Sequence, residues 1–123
     1  MIEGPNGLLL VRRPQGDASL PGVWGLPAAS LTEEESEEEA VRRAGREKLG
    51  VEVAPVRPVG SEGRMTDWET RILAGTPSVP QPGPNTQYTE LRWGEPSELV
   101  PAARQGSLCS RALLRARGLD WGA

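Results

Sequence analysis

Histidine is absent from the sequence, and cysteine occurs once, as Cys109. Without imidazoles, the chain can form neither a histidine-based zinc site nor a Ser-His or Cys-His catalytic pair. A single cysteine excludes an internal disulfide, and the nearby Leu108 and Leu113 indicate a buried small residue rather than a nucleophile. Any bound metal ion must therefore be held by oxygen ligands, which favours magnesium, calcium or manganese.

Long apolar runs and excess positive charge are also missing. No run reaches the roughly 18 apolar residues of a membrane span, and a net charge of -3 gives no basic footprint for duplex nucleic acid. Residues 1–10 lack the basic start and the cleavage site of a signal peptide. The 123 residues suffice for one domain but not for two. We therefore predict a single cytoplasmic domain over residues 1–123, with no membrane or duplex nucleic acid partner.

Turn signals separate short apolar segments of strand length. The Pro-Asn-Gly turn at 5–7 predicts a hairpin between strands at 1–3 and 8–13. Two prolines within 51–59 predict an edge or bulged strand. The other predicted elements are strands at 66–74 and 88–93, a loop at 75–87, a short turn or helix at 96–99 and a helix at 108–117. This order predicts an α/β fold, with a mixed sheet and helices on its faces.

A further helix, predicted at 32–49, carries the residues with the clearest chemical potential. Thr32 and Glu35 have the spacing of a capping box at its start, and Arg43 and Glu47 lie four residues apart on one face. A loop rich in Gly, Pro and Ala leads into this start and brings backbone N–H groups close to any ligand. Carboxylates on the helix would coordinate a hard cation, and the loop and the cation together would bind a diphosphate. The alternative is an acidic helix that is simply solvated.

A spaced pattern runs from this loop through the helix. It reads Ala29, five residues, Glu35, seven residues, and then Arg43-Ala44-Gly45-Arg46-Glu47-Lys48-Leu49-Gly50-Val51. The frame resembles the signature of the Nudix (MutT-like) hydrolase family, which reads Gly, five residues, Glu, seven residues, Arg-Glu-apolar-x-Glu-Glu-x-Gly-apolar. Similar flanking segments are Leu8-Leu9-Leu10-Val11-Arg12-Arg13, Gly22-Val23-Trp24-Gly25-Leu26-Pro27 and Glu90-Leu91-Arg92-Trp93. The resemblance covers most of the chain and implies a Nudix-like α/β/α sandwich with a mixed sheet.

The departures from the signature fall on the family's metal-binding positions. By position, the main ligands of the family correspond to Ala44, Glu47 and Lys48, so that only Glu47 keeps a carboxylate. Ala28 and Ala29 replace two glycines, which indicates a remodelled loop if that loop needs a positive φ. Gly45 replaces an apolar residue, whereas Arg43 and Glu35 match the family, where they are thought to orient one another and the helix. We interpret the signature as degenerate.

The resemblance implies a hydrolase that cleaves the pyrophosphate of a nucleoside diphosphate-linked compound with Mg²⁺ or Mn²⁺. A magnesium ion needs only one or two protein carboxylates, so weak activity is compatible with the altered ligands. Lys48 would contact a phosphate oxygen directly, and Glu90 would add a ligand or base from outside the signature. The candidate catalytic residues are Glu47, Glu35, Arg43 and Glu90, the candidate metal ligands are Glu47 and Glu35, and the candidate substrate-binding residues are Lys48, Arg13, Ala28 and Ala29.

The alternative is a catalytically inactive Nudix-fold domain that binds a nucleotide or another protein. A lysine in place of a carboxylate changes the local charge by about two units and repels cations at close range. The family resemblance favours the hydrolase and the altered ligands favour the inactive domain, and on sequence alone we weigh the hydrolase slightly higher. We predict a nucleotide-type small molecule as ligand or partner, whereas an inactive protein-interaction domain would bind another protein instead. A homodimer is a further expectation, because many relatives are dimers.

Overall fold

The computed structural model describes residues 1–13, 21–28, 32, 34–79 and 88–122. Within this part of the chain, the strands are β1 (Glu3–Gly4), β2 (Gly7–Arg12), β3 (Trp24–Gly25), β4 (Glu52–Glu62), β5 (Met65–Ala74) and β6 (Glu90–Gly94). The α-helices are α1 (Glu37–Ala44), α2 (Val100–Arg104) and α3 (Leu108–Ala116). A π-helical turn (Gly45–Leu49) follows α1, and a 3-10 helix (Pro96–Leu99) precedes α2. None of the helices in these ranges has the length and apolar character needed to traverse a bilayer.

Strand β2 lies at the centre of a four-stranded sheet and pairs antiparallel with β1, β3 and β6. Its consecutive leucines are fully buried because both faces of the strand are covered. Leu9 and Val11 face a core that includes Leu49 next to α1, whereas Leu8 and Leu10 face a core formed with α2 and α3. The α/β/α arrangement follows from this two-sided burial, and the predicted hairpin at the start of the chain is confirmed.

Strands β4 and β5 form a second, antiparallel sheet. Its pairing contains register shifts between Pro55 and Arg57 and between Pro58 and Gly60, as expected for a strand that contains prolines. One parallel bridge, Ile2 with Thr70, joins the two sheets. The Thr70 backbone N–H donates to the Met1 carbonyl oxygen at 2.8 Å. Parallel and antiparallel pairs therefore coexist, which confirms the predicted mixed α/β fold.

Helix α1 begins later than the capping-box prediction at Thr32. Its N-cap is Ser36, whose hydroxyl accepts from the Glu39 N–H, while the Glu39 carboxylate accepts from the Ser36 N–H. Thr32 instead belongs to a separate turn, in which its N–H donates to the Glu35 carboxylate at 3.3 Å. Both pairs fit the same sequence pattern, but the Glu35 carboxylate also binds Arg43 and holds this turn outside the helix. The predicted helix start was therefore wrong by about one turn.

Candidate functional site

Three charged residues of the signature form one connected group beside α1. The Arg43 guanidinium donates two hydrogen bonds to Glu35, at 2.8 and 2.9 Å, in a bidentate arrangement. Arg43 also lies 3.5 Å from the Glu47 carboxylate, one turn further along the chain. The hydrogen bonds from Arg43 are the main cause that lowers the pKa of Glu35. Both carboxylates predicted as metal ligands thus pair with the same guanidinium.

The Lys48 side chain extends to the loop before α1. Its ammonium donates a short hydrogen bond to the Ala28 carbonyl oxygen and lies 5.5 Å from the centroid of the Tyr88 ring. Burial is the main cause that lowers the pKa of Lys48, and the positive charges of Arg13 and Arg43 lower it further. A cation of the protein itself therefore occupies the space between the π-helical turn and the loop.

Tyr88 fixes the same backbone position from the other side. Its hydroxyl accepts from the Ala28 N–H at 3.0 Å and donates to the Ala28 carbonyl oxygen at 3.3 Å. The side chain is almost fully buried, and this burial raises the pKa of its hydroxyl. The sequence alone did not indicate this role, because the contact joins residues that are 60 positions apart. Ala29, the other predicted loop residue, lies outside the described residues.

Ala44 and Gly45 face the protein interior rather than the charged group. Ala44 is buried, and a Cβ atom added to Gly45 would lie 2.8 Å from a methyl carbon of Val53 and 3.2 Å from the Val51 carbonyl oxygen. Glycine is therefore required for the close approach of the π-helical turn to β4. This packing explains why the family's apolar residue is absent at position 45.

Glu90 lies at the start of β6, opposite Arg12 in the β2–β6 pairing. Its carboxylate is 3.5 Å from the Arg12 guanidinium, and its side chain is 56% exposed. Arg12 in turn donates to the Gly22 carbonyl oxygen at 2.9 Å. Among the contacts within the described residues, none joins Glu90 to Glu47, so its predicted role as ligand or base stays a prediction.

A divalent metal, which members of the family typically use, does not fit the residues around Lys48. Across the described part of the chain, acidic residues and cysteine form no group of three that could hold a metal ion. The Ala44 side chain supplies no oxygen, Glu47 is paired with Arg43, and the ammonium of Lys48 donates to the Ala28 carbonyl oxygen.

A cavity of about 570 Å³ opens on the other side of the Ala28 loop. Its walls are mostly apolar and come from the loop (Leu26, Pro27, Ala28), the α1 segment (Ala40, Val41, Ala44) and the start of β5 (Met65, Trp68). The buried carboxyl of Asp67 also lines it. Such a volume suits a ligand the size of a nucleotide base or larger. The sequence did not predict Asp67 as a site residue.

A model of the NUDIX domain matches residues 1–115. Similar solved structures include the E. coli ORF135 protein (22% identity, TM-score 0.65, 95% of this chain and 86% of that chain). Others are a MutT protein from Methanosarcina mazei Go1 (18% identity, TM-score 0.59, 81% and 75%) and an ADP-ribose pyrophosphatase from Streptococcus suis 89-1591 (21% identity, TM-score 0.58, 78% and 69%). No curated protein matches the chain.

These structural similarities support the assignment of the fold. Sequence identities near one fifth do not identify the substrate. The family match spans nearly the whole chain, including the loop, α1, the π-helical turn and β6. The matched region therefore contains both the signature pattern and the residues of the candidate site. On these grounds, the chain belongs to the NUDIX domain family.

Proposed function

We propose that this Nudix domain binds a nucleotide-type small molecule without cleaving it by metal-dependent hydrolysis. The observation that carries the proposal is the position of the Lys48 ammonium. At position 48 the family's signature has a metal-binding glutamate, whereas here the ammonium donates a hydrogen bond to the Ala28 carbonyl oxygen. The geometry thus favours the inactive domain of the two interpretations. The hydrolase stays a prediction, and the experiments below are designed to detect it.

The size of the electrostatic effect supports this choice. A dication about 4 Å from an ammonium is repelled by roughly 8 kcal/mol at an effective dielectric constant of about 20. A metal ion would need new carboxylate contacts of comparable strength to overcome this repulsion. Glu47 alone remains near the ion's expected place, and its side chain is 36% exposed and already paired with Arg43.

The same charges suit a phosphate group. Lys48 is a point charge with three donors, and lysine is a common phosphate ligand in proteins. Arg13 lies close enough to lower the pKa of Lys48, whereas Arg43 is already paired with Glu35 and the Glu47 carboxylate raises this pKa, so Lys48 is the cation that a phosphate would meet. Ala28 contacts Lys48 and also lines the cavity. Because Lys48 itself does not line the cavity, a nucleotide with its base in the cavity would have to extend past Ala28 for its phosphates to reach this ammonium. One structural relative is named as an ADP-ribose pyrophosphatase, and ADP-ribose is a nucleotide of suitable length for the test.

Binding and turnover are measured separately in the first experiment. Calorimetric titration of the protein with ADP, GDP and ADP-ribose in EDTA reports metal-free binding, and phosphorus NMR with Mg²⁺ or Mn²⁺ reports cleavage. We expect binding in EDTA and no cleavage of any compound. Cleavage that requires either metal would overturn the proposal and restore the hydrolase. Absence of binding would also overturn it and leave a protein-interaction domain as the alternative.

A second experiment tests whether Lys48 stands in for the metal. The variant Lys48→Glu removes the ammonium and restores one carboxylate of the signature, and we expect it to gain metal-dependent cleavage. Arg46→Glu is the control, because it makes the same change in charge at an exposed position of the same segment. Lys48→Gln provides a milder change and should weaken nucleotide binding about tenfold. Unchanged binding by Lys48→Gln would contradict the assigned role.

We propose a homodimer, which light scattering at several protein concentrations would detect. A concentration-independent monomer mass would refute it. The cytoplasmic location and the single domain over residues 1–123 stay predictions from the sequence.

A further inference from the structure

Three arginines surround the indole of Trp121, on the face of the central sheet that is opposite α1. The Trp121 side chain packs against the core formed with α2 and α3, which gives it a firm support. The guanidinium carbons of Arg111 and Arg115, both on α3, lie 5.6 and 5.4 Å from the centroid of its ring. Arg104, at the end of α2, donates from Nε to the Trp121 carbonyl oxygen at 2.7 Å. Positive charge therefore converges on one residue.

Two of these side chains, Arg104 and Arg111, lack a carboxylate partner within the described part of the chain, and we call them the arginine pair. Arg115, in contrast, forms an ion pair with Glu62 at 3.1 Å. From α2 to the end of the sequence there are four arginines but a single acidic residue, Asp120. The Asp120 carboxylate accepts a backbone N–H of its own segment at 3.1 Å. The charge of the arginine pair is therefore available to an external anion.

Each guanidinium of the arginine pair is held through Nε alone. Arg111 donates from Nε to the Ala103 carbonyl oxygen at 2.8 Å, beside the backbone of Arg104. This bond also satisfies a carbonyl group at the end of α2, which is a structural role of Arg111. The terminal nitrogens of both side chains form no hydrogen bond with the described residues. A guanidinium held in this way presents its terminal nitrogens as a fork, which matches the oxygens of a phosphate.

Gly122 leaves room beside the fork of Arg104. Its φ is +70°, a conformation that favours glycine, and an added Cβ atom would lie 2.7 Å from a terminal nitrogen of Arg104. A larger residue would therefore press on this guanidinium and fill the space around its donors. The backbone of the C-terminal segment thus both anchors the Arg104 side chain and leaves its terminal nitrogens uncovered.

We infer that the arginine pair binds a phosphate or diphosphate group of a small molecule, at a site separate from Lys48. The two places lie on opposite faces of the central sheet, because Leu49 and Tyr88 belong to the core beside α1, whereas α2 and α3 cover the other core. A phosphate suits two guanidiniums better than a carboxylate does, because it offers more oxygens and up to two negative charges. The inference does not depend on the proposed function.

The test titrates the protein with inorganic phosphate, diphosphate and acetate by calorimetry in EDTA. The variant Lys48→Gln is the background for every titration, so that Lys48 contributes nothing to the measured affinity. We expect diphosphate to bind most tightly and acetate most weakly, since one diphosphate can engage both guanidiniums. Acetate that binds as tightly as diphosphate would overturn phosphate as the ligand, and absence of binding by all three anions would overturn the site itself.

Charge removal tests the two arginines directly. In the same background, Arg104→Gln with Arg111→Gln should weaken diphosphate binding about 100-fold, because each charge-assisted contact contributes about a factor of ten. Arg42→Gln with Arg71→Gln is the control, because it removes the same charge from exposed positions. The control should change the affinity by less than about twofold. Equal losses in the two variants would overturn the inference.

A conservative variant separates a shaped site from general attraction by positive charge. Arg104→Lys with Arg111→Lys keeps both charges but loses the forks and the bonds from Nε. We expect it to bind diphosphate about tenfold or more weakly than the background protein. Unchanged affinity would show that charge alone attracts the anion and would overturn the inference. Circular dichroism of each variant verifies that the fold is retained.

Titration of the protein without the Lys48→Gln change separates this inference from the proposed function. Diphosphate binding that disappears with Lys48→Gln alone would support the site at Lys48 and refute the arginine pair. Binding that survives Lys48→Gln but is lost with Arg104→Gln and Arg111→Gln would establish the arginine pair, whether or not nucleotides bind on the other face.

Discussion

The substitution Asp67→Asn should stabilise the protein in a manner that depends on pH. Burial raises the pKa of this carboxyl from its ordinary value of 3.8 to about 7. In the unfolded chain the pKa of this carboxyl lies near its ordinary value. At a pH between 3.8 and about 7, the folded state therefore keeps a proton on Asp67 that the unfolded state has lost. Stability is therefore lost as pH rises from about 4 to about 7. The difference between the folded and unfolded pKa values of Asp67 corresponds to roughly 4 kcal/mol of unfolding free energy.

Asparagine has nearly the same shape and no charge to bury. We expect Asp67→Asn to raise the free energy of unfolding by about 2–4 kcal/mol at pH 8 and to have little effect near pH 4. Urea unfolding followed by tryptophan fluorescence at several pH values measures this difference. Asp120→Asn is the control, because Asp120 is exposed. An equal effect at every pH, or a loss of stability at pH 8, would refute the assignment of Asp67 as a buried and desolvated carboxyl.

Three further substitutions test the packing around the site by thermal or urea unfolding. Gly45→Ala should cost about 1–3 kcal/mol, because its Cβ atom would lie 2.8 Å from a Val53 methyl carbon, and an unchanged midpoint would contradict that contact. Tyr88→Phe should cost about 1–3 kcal/mol and loosen the loop, because the Ala28 N–H loses its partner, and proton exchange at this amide should accelerate. Ser36→Ala should cost about 1 kcal/mol and reduce helicity, whereas an effect below measurement error would show that α1 needs no cap.

Much of the fold was readable from local patterns. The turn at 5–7, the prolines in β4 and the apolar face of α3 each act through neighbouring residues, so their effects are visible in the sequence. The start of α1 was misplaced because two capping boxes follow one another, and the choice between them depends on Arg43, eight residues beyond Glu35. Local patterns therefore predicted the element but not its boundary.

The candidate site was only partly predictable. The pairing of Arg43 with Glu35 was expected from the family signature, and the structure places the two side chains in a bidentate contact. The position of Lys48 depends on a contact with Ala28, 20 residues away, which no local rule supplies. The residue pattern of the predicted strand at 66–74 does not single out Asp67, because alternation along a strand shows which residues share a face but not which face is buried. Gly60 pairs with Asp67, and a register shift lies just before Gly60 in β4. Such a shift alters the local twist of the strands, which a simple in-and-out alternation of side chains does not take into account.

Lys48 is the only lysine in the chain, which gives its position a practical use. Because burial lowers the pKa of its ammonium, a larger share of this amine is uncharged at a given pH than in a free lysine. Amine-reactive reagents modify the uncharged form, so in a digest a single side-chain adduct would report the chemistry of this one residue. The rate at which that adduct forms, followed by mass spectrometry, therefore gives a residue-specific record of what covers the ε-amino group.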